Sequence, residues 1–282
     1  MNMQKTEILE QDDHMHGMQH TVMTITSLTR PFDHIARLRG KVKTDQTTLW
    51  GLSNLAVRIE LEAPTGKVRP ISRIYTVRSF NPLTHEIEID LVLHSDPSPA
   101  MLWLKTLQLG AEVSLIGPRI HINPNFEANK NILIFADDTA IPAVYAMLSQ
   151  WPQYATAEVF VDTQAAEILN ELPHLDQVNY HLVERLEPSN TVPITPLLDT
   201  LKQFSNIEHS TIWAACERRE ARLMRELCLN HYHLAKDDVR VFGYWKAGLS
   251  SSKMDDARLE HYSKLIQQGH GLAEFDDLDV NI

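Results

Sequence analysis

Between residues 22 and 118 apolar and polar side chains alternate in short runs. VRIELEA, RIYTVRSF, HEIEIDLVLH and AEVSLIG each put every second residue on one face, the period of a half-buried β-strand. Proline, glycine and asparagine turns separate the runs, and together they read as an antiparallel barrel or sandwich. One helical stretch interrupts them, PAMLWLKTLQL, closed by Gly110. After HINPNFEANK the texture changes. NILIFAD, AEVFVDT, VNYHLVER, TIWAACE and VRVFGYW are strand-like, and the first four each run on into a helical segment. That order predicts a parallel sheet with crossover helices. Two domains are therefore expected: an antiparallel β-barrel over residues 21–122 and an α/β parallel-sheet domain of nucleotide-binding type over 130–248. Residues 1–20 read as a disordered polar tail, and 249–282 as a surface helix with an acidic tail.

Composition narrows the partners. The 282-residue chain is 43% hydrophobic, enough for a core in each domain. A formal charge of -11, with no basic run, argues against nucleic acid. No stretch approaches the roughly eighteen apolar residues of a membrane span. The start, MNMQKTEILEQDD, is acidic where a signal peptide would be basic and then apolar. A cytoplasmic protein without membrane insertion is expected. Cys216 and Cys228 fit that compartment as reduced, buried thiols and lack a metal-ligand spacing. His14, His16 and His20 read as part of the polar tail rather than as a metal site.

Candidate chemistry concentrates in three places. In ISRIYTVR, residues 71–78, Arg73 and Tyr75 point one way while Ile74 and Thr76 point the other. A guanidinium beside an aromatic face suits a ligand with a phosphate on a flat ring system; a cation–π pair on an edge strand has the same composition. In IDLVLHSDPSPAMLW, residues 89–103, Asp90, Val92 and His94 share one strand face. Ser98 and Pro99 then start a helix, whose free amides near Ala100 and Met101 can hold a diphosphate. His94 as a core histidine and Ser98 as a plain cap stay open beside that reading.

FADDTAIPAVYAM, residues 135–147, is a buried strand entering a helix, where a nicotinamide-dependent enzyme carries its glycine-rich phosphate loop. Yet no glycine lies between Arg119 and Phe242, and Asp137 and Asp138 would repel phosphate. Glu217, at the start of a later helix, is either a partner of the helix dipole or a group near a nicotinamide site.

In order and spacing, RIYTVRSF, IDLVLHSDPSPAMLW, GAEVSLIGP, ADDTAIPA, IWAACERREARLMR and GYWKAG resemble the siderophore-interacting protein family. These are FAD-containing ferric-siderophore reductases related to the ferredoxin–NADP reductases, and the likeness runs from about residue 24 to 248. The resemblance implies an FAD-binding barrel followed by an NAD(P)H-reductase-like domain. It implies that Arg73 contacts the FAD phosphate and that Tyr75, next to Ile74, stacks on the isoalloxazine. Thr76 would then hydrogen-bond near the reactive nitrogen. His94, Pro99 and Ala100 would hold the diphosphate region, with Asp90 and Val92 on the adjoining strand, and Asp137, Thr139 and Ala140 would lie toward the adenine end. The chain departs from the family at Ala136, where glycine is usual, and at Asp138, where glutamate is usual.

The implied reaction is one-electron reduction of a ferric siderophore, with release of Fe(II) and no iron ligand from the protein. NAD(P)H or a ferredoxin would supply electrons. An acidic protein needs local positive charge to collect anionic complexes, and the candidates are Lys246, Arg119 just after an expected Gly117–Pro118 turn, and more weakly Lys43, which reads better as a solvated surface lysine. Two other functions fit the same pattern: an FAD-dependent NAD(P)H oxidoreductase with another acceptor, and a non-catalytic siderophore carrier.

Overall fold

The computed structural model describes residues 18–61, 70–95, 97–183, 195–205, 207–270 and 277–280. Contacts divide the chain into two compact units, one of Met1–Ile120 with Gly248–Ile282 and one of His121–Ala247.

The first unit is an antiparallel sheet of β1 (Gln19–Phe32), β2 (Ile35–Val42), β3 (Leu55–Glu60), β4 (Ser72–Val77), β5 (Ser79–Asn81), β6 (Glu86–Val92) and β7 (Glu112–Ile120), joined in the order β4-β3-β7-β1-β2-β6-β5. A one-turn helix α1 (Thr47–Trp50) precedes β3 and buries Trp50. The two ends of this sheet, β4 and β5, are separated in the chain by Arg78 alone. One residue spans only about 3.3–3.6 Å, so the sheet must roll until its edges meet. The barrel expected from the alternation is closed at that seam.

Two interactions fix the seam. Arg78 donates its backbone N–H to Glu88 O at 2.8 Å. Its guanidinium lies 3.4 Å from Asp90 Oδ2, and Asp90 also accepts from Arg37 Nε and Nη2 at 2.7 and 2.9 Å. Arg37 sits directly opposite Asp90 in the β2–β6 register. Inside, one apolar core draws Met23, Leu38, Ile59, Val77, Ile89 and Leu115 from six of the seven strands. Helix α2 (Pro99–Thr106) adds Ala100, Met101 and Leu104 to it.

The strand pattern also reaches further than expected. β1 begins at Gln19, so His20 is a strand residue rather than part of a tail; residues 1–17, with His14 and His16, lie outside the described residues. Gly117 and Pro118 do not make a turn. They continue β7, where Gly117 takes φ +153° and an added Cβ would stand 3.0 Å from Val57 Cγ1. Glycine is needed there because β3 runs against it.

The second unit is a parallel sheet of β8 (Asn131–Asp137), β9 (Ala157–Asp162), β10 (Val178–Leu182), β11 (Ser210–Glu217) and β12 (Val239–Trp245), in the order β10-β9-β8-β11-β12. Helices α3 (Ile141–Leu148), α4 (Pro196–Leu201) and α5 (Arg218–Glu226) follow β8, β10 and β11. The segment after β9 is only a 3-10 stretch, Ala166–Glu171, because Pro173 stops the run before an α-helix can extend. In chain order the sheet reads 3-2-1-4-5, the doubly wound arrangement whose strand order reverses between β8 and β11.

The C-terminal helix α6 (Ser251–Gln267) buries Met254, Leu259 and Tyr262 and groups with the first unit. Arg258 Nε and Nη2 pair with Asp277 at 2.5 and 3.2 Å, drawing the segment with buried Leu278 and Val280 back onto the same unit. No described helix is long and apolar enough to cross a membrane.

The seam is testable. Asp90→Ala leaves the buried Arg78 and the partly buried Arg37 without their carboxylate, and the expected loss is about 3–5 kcal/mol of unfolding free energy. Urea denaturation measures it; a loss below about 1 kcal/mol, the scale of an exposed pair, would show that the seam is held by something else.

Candidate functional site

On β4 the alternation read from the sequence is realised with a twist in burial. Arg73 is 8% exposed and Thr76 is buried, Tyr75 is half-buried against the barrel core, and Ile74 is 46% exposed. Burial pushes the Tyr75 phenol up to about 12, while the neighbouring Arg73 charge pulls the other way. Arg73 uses one nitrogen for its described hydrogen bonds: Nη1 donates to Ser72 O at 2.7 Å and to Ser252 Oγ at 3.3 Å. Its Nε and Nη2 have no partner among the described residues.

At the end of β6, Val92 is half-buried and Asp90 is engaged by Arg37 and Arg78. The role given to Asp90 by its neighbours is structural. His94 is exposed just beyond the strand, with Nε2 3.3 Å from Ser98 Oγ. Ser98 caps α2 by accepting from Met101 N at 3.3 Å, Pro99 is the first helical residue, and no acidic side chain occupies the first turn. The helix start therefore keeps its positive end. Arg119 lies on β7 opposite Ala56, and Lys43 is exposed after β2.

The second unit carries a different set. At the carboxyl ends of its central strands stand Asp137 on β8, Asp162 on β9 and Glu217 on β11. Asp137 accepts from Thr139 N at 2.9 Å, Thr139 Oγ1 at 2.5 Å and Trp245 Nε1 at 2.7 Å. Ala140 is buried at the start of α3. Glu217 caps α5, Oε2 accepting from Arg219 N at 2.6 Å and Glu220 N at 3.2 Å, while Oε1 accepts from Ala247 N at 3.1 Å. Of the two roles left open for Glu217, this geometry is that of a helix-dipole partner. Gly243 lets α5 sit close to β12, since a Cβ there would be 3.0 Å from Arg218 Cβ. Lys246 is half-exposed two residues beyond Tyr244. Cys216 and Cys228 are free and buried, and burial raises both thiols, Cys228 to about 12.

The residues 17–122 match the profile of a siderophore-interacting FAD-binding domain, and 129–248 that of siderophore-interacting protein. A ferric acinetobactin reductase of Acinetobacter baumannii is 44% identical over 274 residues, covering 97% of this chain and 95% of that one. The chain belongs to the siderophore-interacting protein family. A ferric vibriobactin reductase of Vibrio cholerae is 27% identical over 191 residues, 67% of this chain and 70% of the other. Among solved structures, a siderophore-interacting protein of Acinetobacter baumannii aligns with TM-score 0.84 at 45% identity, covering 89% of this chain and 99% of that one. A Plasmodium falciparum ferredoxin-NADP+ reductase shares the fold alone, with TM-score 0.57 at 13% identity over 79% of this chain and 95% of the other.

For a siderophore-interacting protein the first unit must accept FAD, and Arg73 tests whether it does. A buried side chain whose Nε and Nη2 meet no partner among the described residues presents the fork that grips phosphate oxygens. Next to it are a half-buried tyrosine and an exposed isoleucine, which suit a flat ring. The donor set fits the cofactor. Sequence reasoning passed over Arg37, Arg58 and Ser252, which act through cross-strand register or from the far end of the chain. Arg78 stood inside ISRIYTVR and was the available signal.

Two buried carboxyls of the second unit, Asp137 at the end of β8 and Glu220 in α5, have a thermodynamic signature. Burial pushes Asp137 up to about 6, against its hydrogen bonds from Thr139 and Trp245. Burial likewise pushes Glu220 up to about 7, although it accepts Leu198 N at 2.9 Å. Both hold their proton to higher pH folded than unfolded, so the folded state binds more protons below about pH 7 and stability falls as pH rises through that window. Each group can contribute at most about 1.4 kcal/mol per pH unit. Thermal melting from pH 5.5 to 8 should show a falling midpoint that Glu220→Gln flattens; an unchanged slope in that variant would remove Glu220 from the account.

Proposed function

We propose that this protein is a ferric-siderophore reductase that holds FAD in its first unit and gives one electron to siderophore-bound Fe(III). The observation that carries the reading is Arg73, buried beside Tyr75 with no partner for Nε and Nη2 among the described residues, in a domain of the FAD-binding profile. FAD, when bound, takes up electrons in pairs and releases them singly. The chain does the rest. Arg73 would hold phosphate, Tyr75, next to Ile74, would stack on the ring, Thr76 would supply a hydrogen bond near its edge, and the start of α2 with His94, Pro99 and Ala100 would hold the diphosphate. Reduction lowers the charge on iron and weakens its hard oxygen ligands, so Fe(II) leaves without a protein ligand. Lys246 and Arg119 are proposed to attract anionic ferric complexes, with Lys43 a weaker contributor.

The deciding experiment is anaerobic reoxidation of the reduced protein by a panel of ferric siderophores with an Fe(II) trap. Saturable reoxidation with Fe(II) release is expected. Failure with every ferric siderophore, alongside good reduction of artificial acceptors, would assign an oxidoreductase with another acceptor; a colourless protein that binds ferric complexes would assign a carrier. Lys246→Ala should slow the second-order rate with an anionic complex about threefold to tenfold at low salt and less at high salt, leaving flavin content unchanged. Equal rates at both salts would remove Lys246 from substrate capture.

The donor reading follows from the second unit. Carboxylates stand at the switch point of its sheet, where a dinucleotide's phosphates would lie, and no glycine lies between Arg119 and Phe242. NADH and NADPH are expected to show Michaelis constants at or above about 1 mM, the top of the usual range, leaving a ferredoxin as the alternative donor. Steady-state kinetics with each nucleotide decides this, and micromolar saturation would overturn it.

A further inference from the structure

The first turns of α6 reach both arginines of the β3–β4 edge. Arg58 Nη1 donates to Asp255 Oδ2 at 3.0 Å and to Ser72 Oγ at 3.1 Å. Arg73 Nη1 donates to the carbonyl of the same Ser72 at 2.7 Å and to Ser252 Oγ at 3.3 Å. Ser72 thus joins the two arginines, and α6 closes the network from outside through a residue 179 positions along the chain from Arg73. Two acceptors account for both protons of Nη1.

What remains is the informative part. Nε and Nη2 form the other edge of the guanidinium, they have no partner among the described residues, and the side chain is 8% exposed. An arginine pays rotamer entropy to hold one geometry, and a guanidinium already fixed along one edge loses less when it grips a ligand with the other. The helix end adds to this: Ser250 caps α6, no acidic residue lies in its first turn, and its positive end approaches a guanidinium of the same sign. An anion at that corner relieves both.

We propose that Ser252 is a positioning residue for the cofactor: α6 clamps Nη1 of Arg73 against Ser72, and the free Nε–Nη2 edge is thereby held ready for the flavin's phosphate. This rests on the reading of Arg73 as the phosphate contact. It makes the C-terminal helix part of the cofactor site although it lies outside both stretches matched to the family.

Riboflavin lacks phosphate, so it separates this role from general support of the fold. Affinities of the apoprotein for FAD and for riboflavin are measured by fluorescence quenching in the parent, Ser252→Ala, Ser252→Thr and Arg73→Ala. Ser252→Ala should weaken FAD about threefold to tenfold, the range of one ordinary hydrogen bond, and leave riboflavin unchanged. Ser252→Thr, which keeps the hydroxyl, should restore FAD binding, and Arg73→Ala should remove most of the preference for FAD. If Arg73→Ala removes the preference and Ser252→Ala leaves it intact, the clamp is wrong and the Arg73 reading stands. Equal loss of riboflavin and FAD in Ser252→Ala would make the contact merely structural. If Arg73→Ala keeps the full preference, the Arg73 reading fails and the clamp with it.

Discussion

One carboxylate closes the barrel. Asp90 lies between the guanidiniums of Arg37 and Arg78, where the chain passes from one end of the seven-stranded order to the other across a single residue. Charges so buried carry a desolvation cost that only good geometry offsets. Here the geometry is a two-point hydrogen bond to Arg37 and a second cation at the seam. Arg78 follows β4 directly, and along that strand the ordinary alternation of side chains leaves Arg73 buried and Ile74 exposed.

The two units treat charge in opposite ways. In the first, positive groups dominate the described chemistry: a free guanidinium edge and two helix starts with no acid in their first turns. In the second, carboxylates end three adjacent strands. One arrangement attracts phosphate and the other resists it. A doubly wound sheet can thus keep its architecture while its usual ligand chemistry is altered by the side chains at the strand ends.

Much of this was legible from periodicity. Alternation in VRIELEA and HEIEIDLVLH named the strands because each half-buried face leaves a period-two trace, and the apolar runs of the second half named a sheet covered on both sides. ISRIYTVR likewise showed the Arg73–Tyr75 pairing, since neighbours on a strand face are fixed by local geometry. The Gly117–Pro118 pair misled, because the composition of a turn also serves a strand that bends past a close neighbour. Arg37 opposite Asp90 and Ser252 against Arg73 were out of reach: the first depends on register between strands 53 residues apart, the second on where a helix docks 179 residues away. Neither leaves a mark on its own neighbourhood.

The first unit is assembled from two stretches of chain with the whole of the second unit between them. During synthesis His121–Ala247 leaves the ribosome before Gly248 does, so the parallel sheet can form while the barrel still lacks its helix. Domains fold largely as units and in order of emergence. The contacts of α6 with Arg58 and Arg73 are then among the last made in the first unit, and until Ser252 and Asp255 emerge the β3–β4 edge carries both arginines without those partners.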